Sequence, residues 1–271
     1  MHHTRGPRTL LLLLALIGVA SALVACGTES GNTTSTPTPG PEDRFQTPRT
    51  LQSYRYVMHL RADGALLDQS EAPAGLDLSD EEIVVDIEGR WVSPGNEYQH
   101  AVFSFGPLEV KQDSTSIDGR FWTSVEGGAW REREALTGPE DILGQDIPLS
   151  PDAVLGRADE SLLDRVTADL EQRPHTFETL NGREARRWTL GNEWFDAYAA
   201  DFAEFLSAIT RDQGLDLTID IWNDTETGVG VKLRVEAIHP EGHGSMSLDI
   251  EMFDLNDPDI TVEVPAGAIS R

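Results

Sequence analysis

The sequence predicts an α+β protein, an antiparallel sheet interrupted by two helices. Three observations predict it. Many short segments alternate apolar and polar residues with a period of two, as half-buried strands do. Two longer segments carry apolar residues at helical spacing. The helices do not alternate one by one with strands, as βαβ units would require.

Residues 53–61 (SYRYVMHLR) put Tyr54, Tyr56, Met58 and Leu60 on one face and Arg55, His59 and Arg61 on the other. Residues 82–92 form a second strand, turned by Ser93-Pro94-Gly95-Asn96. A third, 98–105, stops at Gly106-Pro107. Segments 108–114 and 120–124 flank the turn Ile117-Asp118-Gly119, and Gly127-Gly128 leads into Ala129-Trp130-Arg131. The first half therefore reads as consecutive antiparallel strands.

The middle changes character. Residues 159–173 space Leu162, Leu163, Val166 and Leu170 as a helix, with Asp159 and Glu160 at its start and Pro174 after its end. Residues 176–190 read as a hairpin about Asn181-Gly182, a sequence suited to the two positive-φ positions of a tight turn. Residues 192–212 predict a second helix with the apolar stripe Trp194, Phe195, Tyr198, Phe202, Phe205, Leu206 and Ile209. Strands return at 215–223, 229–238, 245–253 and 260–264, the last closed by Pro265.

The N-terminus predicts export. Arg5 and Arg8 precede an apolar run from 10 to 25, interrupted only by Gly18 and Ser21. That is the form of a secretory signal, too short for a spanning helix of about 20 residues. It ends Leu23-Val24-Ala25-Cys26, the pattern the bacterial lipoprotein signal peptidase cuts, with Cys26 as the nucleophile that takes the diacylglycerol. Cys26 is the only cysteine, so no disulfide is available to the fold. The Gly-, Ser-, Thr- and Pro-rich residues that follow read as a tether. The expected organisation is signal peptide 1–25, lipidated cysteine and tether 26–50, and a single folded domain 51–271. The domain would sit on the outer face of the plasma membrane, or on the outer membrane in a two-membrane cell.

Removing residues 1–25 deletes two arginines and no acids, so the mature charge is 19 − 47 = −28. Such a surface repels phosphate backbones, and nucleic acid is excluded as a partner. No catalytic signature is present: there is no Gly-x-Ser-x-Gly, His-Glu-x-x-His or phosphate-cradling glycine loop. No enzyme, metal or cofactor is therefore expected. His239 and His243 lie four apart, but across Pro240-Glu241-Gly242, where no helix aligns them. Asp254, Asn256, Asp257 and Asp259 are acidic enough for calcium but lack the spacing of a known loop.

Several segments resemble the LolA / LppX–LprG class of bacterial lipoproteins and lipoprotein carriers. They are the opening Leu51-Gln52-Ser53-Tyr54-Arg55-Tyr56; Ile117-Asp118-Gly119-Arg120-Phe121-Trp122 with Gly127-Gly128-Ala129-Trp130; and Asn181-Gly182-Arg183-Glu184-Ala185-Arg186-Arg187-Trp188. Ile221-Trp222-Asn223-Asp224-Thr225-Glu226-Thr227-Gly228 and the ending from Phe253 through Ile260 to Pro265 are similar too. Residues 63–80 and 136–157 depart from the class as loop-rich insertions. The resemblance implies a curved antiparallel sheet, a half-barrel wrapping about two main α-helices, with an apolar cavity between them. The aromatic stripe and Tyr54, Tyr56 and Met58 have two readings, ordinary core or cavity lining. The second makes Tyr54, Tyr56, Met58, Trp194, Tyr198, Phe202 and Phe205 the ligand residues. The resemblance thus implies a non-enzymatic envelope lipoprotein that binds a lipid or other apolar ligand for transport or presentation. The alternative is an envelope sensor similar to RseB, with a filled core and an acidic face for a protein partner.

Overall fold

A computed structural model describes residues 50–63, 80–133, 160–198, 215–242 and 244–268. The signal segment, Cys26 and the tether lie outside the described residues. No described helix is long and apolar enough to cross a membrane.

The described strands are β1 (Ser53–Asp63), β2 (Glu82–Val92), β3 (Asn96–Phe105), β4 (Leu108–Ile117), β5 (Arg120–Val125), β6 (Arg131–Arg133), β7 (Thr176–Leu180), β8 (Arg183–Gly191), β9 (Asp216–Asp224), β10 (Gly230–Ile238) and β11 (Ser245–Phe253). Two helices intervene, α1 (Glu160–Glu171) and α2 (Asn192–Tyr198). All eleven strands form one sheet in the order β6-β5-β4-β3-β2-β1-β11-β10-β9-β8-β7. Every neighbouring pair is antiparallel. The chain meanders outward from β1 to one edge, restarts at the other edge, and meanders back until β11 docks on β1.

This corrects the expected architecture. The sheet does not wrap around two main helices: it dominates the fold, and the two described helices are short, α1 of 12 residues and α2 of 7. The helix expected over 192–212 is described only as far as Tyr198. The physical reason lies in how α2 is held. It follows β8 without a loop, and the Asn192 side chain donates to the Leu215 carbonyl at 3.2 Å and accepts from the Leu217 amide at 2.7 Å. Those bonds pin α2 to the β8–β9 corner. The Trp194 indole then donates to Asp169 on α1 at 2.7 Å, which gathers α1 to the same corner. Helical periodicity reveals that a helix exists, not how much of a sheet it covers. The expected strand at 260–264 is also absent. That segment is irregular, and its one fully buried side chain is Ile260.

The alternating patterns explain the core. Tyr54, Tyr56, Met58, Leu60 and Ala62 of β1 point to one face, here called inner, and all are buried. Register aligns them in rows. Met58 pairs with Ile87 and Ile250, Ile250 with Leu233, and Leu233 with Ile221. Leu60 heads a parallel row through Val85 and Leu248. Apolar burial of about 25 cal/mol per Å² makes this face the main source of stability.

The outer face carries ion pairs, and at β8–β10 a second small core. Trp222, Ala185 and Val231 are buried there, with Leu180 and Leu255 packed against them. A register shift between Gly230 and Lys232 lets Val231 join this cluster. The acidic run near the C-terminus serves turns. The Asn256 side chain accepts from the Gln52 amide at 2.6 Å, and that of Asp257 from the Asp259 amide at 2.9 Å. No group of three metal-ligating side chains occurs among the described residues.

Candidate ligand-binding face

The inner face is not uniform. Across β1, β2, β9, β10 and β11 it is almost wholly apolar. On β3, β4 and β5 one end of it becomes polar while staying buried, and the other end keeps the apolar Ala101, Phe103 and Phe105 of β3. Glu97 and Gln99 lead the inward set of β3, facing Ser116 and Ser114 of β4. Gln112 and Thr123 complete the wall, and Thr123 pairs with Ser114. Six buried polar side chains thus line one region beside an apolar one.

Tyr56 joins the two regions. From β1 its ring crosses β2 over Gly89, its register partner, and its hydroxyl donates to Glu97 Oε1 of β3 at 2.6 Å. A Cβ at Gly89 would fall inside the Tyr56 ring, so only glycine permits this path. The Gln99 amide donates to the same carboxylate oxygen at 3.1 Å, and Ser114 donates to Gln99 Oε1 at 3.4 Å. Tyr54 stacks on Trp91 at 5.2 Å between centroids, with Tyr56 tilted 6.1 Å from Tyr54. The Trp91 indole N–H, buried opposite Glu97 in the register, has no hydrogen-bond partner among the described residues. Buried donors in native proteins almost always have partners.

Burial, then the Glu97 charge and hydrogen bond, push the Tyr56 hydroxyl well above its ordinary value. On the outer face Tyr98, bonded to Asp113 at 2.8 Å, is pushed up to about 12, chiefly by burial. A tyrosine whose folded pKa is raised holds its proton where the unfolded chain, titrating near pH 10, has lost it. Its stabilising contribution is complete below about pH 10 and is lost as pH rises beyond. The denaturant midpoint is therefore expected to be level from pH 8 to 10 and to fall by pH 11. Tyr56→Phe is expected to flatten part of that fall. Equal slopes in variant and parent would show that Tyr56 is not the group responsible.

The residues expected to line one cavity do not come together as a set. Tyr54, Tyr56 and Met58 share the inner face of β1, and Tyr54 and Tyr56 adjoin the polar wall. Trp194 is buried four strands away, at the β8–β9 corner and at the opposite end of the strands; at about 4.8 Å per strand that is about 19 Å sideways. The Tyr198 side chain, Phe202 and Phe205 lie outside the described residues. The polar wall escaped sequence reading because serine, glutamine and threonine on a strand carry no motif. Its signal is the combination of strand register with a lone inward glycine, Gly89, next to an inward tyrosine.

No protein-family model matches the chain, and no curated protein does. Among solved structures it is distantly similar to MucB, seen in a crystal structure in complex with MucA(peri). The identity is 14%, the TM-score 0.27, and the match covers 83% of this chain. The chain spans 57% of the MucB chain's length.

Proposed function

We propose that the protein is a non-enzymatic envelope lipoprotein, cut before Cys26 and held to a membrane by lipid on that residue. Its domain binds an amphipathic ligand of lipid type. The observation that carries the ligand reading is the junction on the inner face. An apolar surface suits acyl chains, each buried methylene being worth about 0.8 kcal/mol. The adjoining wall of Glu97, Gln99, Gln112, Ser114, Ser116 and Thr123 supplies hydrogen-bonding groups for a polar head. A purely structural sheet gains little from burying six polar side chains in one region, since each must find partners.

The test is native mass spectrometry of the 51–271 domain purified without detergent, followed by organic extraction. A bound species of lipid mass, released by extraction, is the expected result. The double variant Ser114→Ala, Ser116→Ala is expected to retain at least about tenfold less ligand, with a melting temperature within a few degrees of the parent, because each change removes one hydroxyl and adds no volume to the buried face. Clean apo masses after expression in several hosts would sink the ligand reading.

The anchor is tested separately. Cells fed labelled palmitate are expected to label the parent chain and not Cys26→Ala, which should accumulate uncut precursor. Labelling that survives Cys26→Ala would remove the anchor from the proposal.

A further inference from the structure

We propose that strand β7 is a docking edge at which an extended, positively charged segment of a partner protein adds as a twelfth strand. The inference is independent of the ligand reading, since it uses backbone groups at the sheet's rim and not the inner face.

β7 is terminal in the sheet, and among the described residues nothing pairs with its outer side. Leu180 pairs with Arg183 across the two-residue turn Asn181-Gly182, both in positive φ. In such a hairpin the residues flanking the turn exchange hydrogen bonds, and bonded positions then alternate. Leu180, Glu178 and Thr176 therefore bond to β8. The N–H and C=O groups of Phe177 and Thr179 point away from the sheet, toward solvent. Both residues are exposed, and Phe177, at 58%, is the most exposed large apolar side chain among those described. Its ring is braced edge-on by His175 at 5.3 Å, and His175 lies 5.6 Å from Trp188, so the aromatic presented at the rim is held in place.

Soluble proteins protect sheet edges with proline, inward charge, bulges or very short strands. The opposite edge has such protection. β6 is three residues long, Arg131-Glu132-Arg133, all charged. β7, Thr-Phe-Glu-Thr-Leu, has none: its one charge, Glu178, is on the outer face, tied to Arg187 at 2.7 Å and Trp222 at 2.8 Å. Pairing of two β7 strands from two copies would bring together chains of formal charge −26 each. The same charge attracts and steers a cationic segment. Main-chain bonds to Phe177 and Thr179 would give affinity, and an apolar residue opposite Phe177 would give register.

The experiment measures fluorescence anisotropy of a labelled octapeptide alternating lysine and valine, added to the full chain. Controls are the glutamate–valine peptide and a lysine–valine peptide N-methylated at alternate residues. The parent is expected to bind the lysine peptide at least tenfold more tightly than either control. Thr179→Pro, which removes only an outward N–H, is expected to weaken binding at least tenfold with an unchanged circular dichroism spectrum. Equal binding of the N-methylated peptide would show adsorption to acidic surface and overturn the proposal, as would undiminished binding by Thr179→Pro. Preference for the glutamate peptide, or a concentration-dependent dimer lost in Thr179→Pro, would overturn the choice of a cationic partner. If Thr179→Pro fails to fold, the N-methylated peptide on the parent chain still decides.

Discussion

Gly89→Val is expected to lower stability by about 3–5 kcal/mol, by far more than a strand glycine replaced elsewhere on this sheet. Valine favours strands, so propensity alone predicts a gain. The opposite is expected because the space above Gly89 is filled by the Tyr56 ring. Overpacking a full core costs about 1–3 kcal/mol. Displacing the ring also breaks the 2.6 Å bond from Tyr56 to the buried Glu97, and a buried carboxylate that loses a donor costs a further 1–3 kcal/mol or so. Chemical denaturation measures the sum. The cause is isolated by Tyr56→Ala, which is damaging alone but makes room for valine. In the double variant the two losses should fall short of their sum by at least about 1 kcal/mol, since residues in contact are not additive. Strict additivity would mean that the ring does not meet position 89. Because Tyr56 and Glu97 adjoin the proposed head site, Gly89→Val is also expected to reduce bound ligand in the fraction that remains folded.

Much of the sheet was legible. Tyr54 to Leu60 and Ser245 to Phe253 alternate strictly in burial, and Glu82 to Val92 does so except at Gly89, because one face is buried and the other wetter, and the turns are marked by Asn-Gly, Asp-Gly and Gly-Pro pairs. What was not legible depends on pairings distant in sequence. That β1 lies between β2 and β11 is fixed by contacts spanning almost the whole domain, and no local pattern encodes it. β9 shows why a period can mislead. From Ile219 to Asp224 it is buried on both faces, because the Trp222 cluster covers the outer side. Trp194 was grouped with Tyr54 because both are aromatic and apolar; Asn192 and Asp169 place it at the far corner instead. The polar wall was invisible for the opposite reason. Ser114, Ser116 and Gln112 look like solvent-facing residues until register puts them opposite Gln99, Glu97 and Ala101.

Trp222→Ala is expected to cost about 3–5 kcal/mol while leaving bound ligand unchanged per folded molecule. Trp222 is buried on the outer face, away from the polar wall, and loss of such a ring from a packed site is worth this much. Three further attachments are lost with it. Its indole donates to Glu178 at 2.8 Å, the Arg187 guanidinium sits 4.9 Å above the ring, and Lys232 Nζ lies 5.7 Å from it. Those groups are themselves paired, Arg187 with Asp220 and Lys232 with Glu251, so the ring is the hub of strands β7 to β11 on that face. Hydrogen bonds from Trp222 and Arg187 hold the Glu178 carboxyl below the ordinary glutamate range, and removing the indole should let it rise. Since Glu178 belongs to the edge strand, amide exchange is expected to quicken in β7 and β8 more than in β1 to β3. Gly89 lies four strands away, about 19 Å, with no shared partner. The losses from Trp222→Ala and Gly89→Val should therefore add within about 0.5 kcal/mol. A loss below about 1 kcal/mol for Trp222→Ala would show that the ion pairs, not the ring, hold the outer face, and a matching loss of ligand would place the binding face on the wrong side of the sheet.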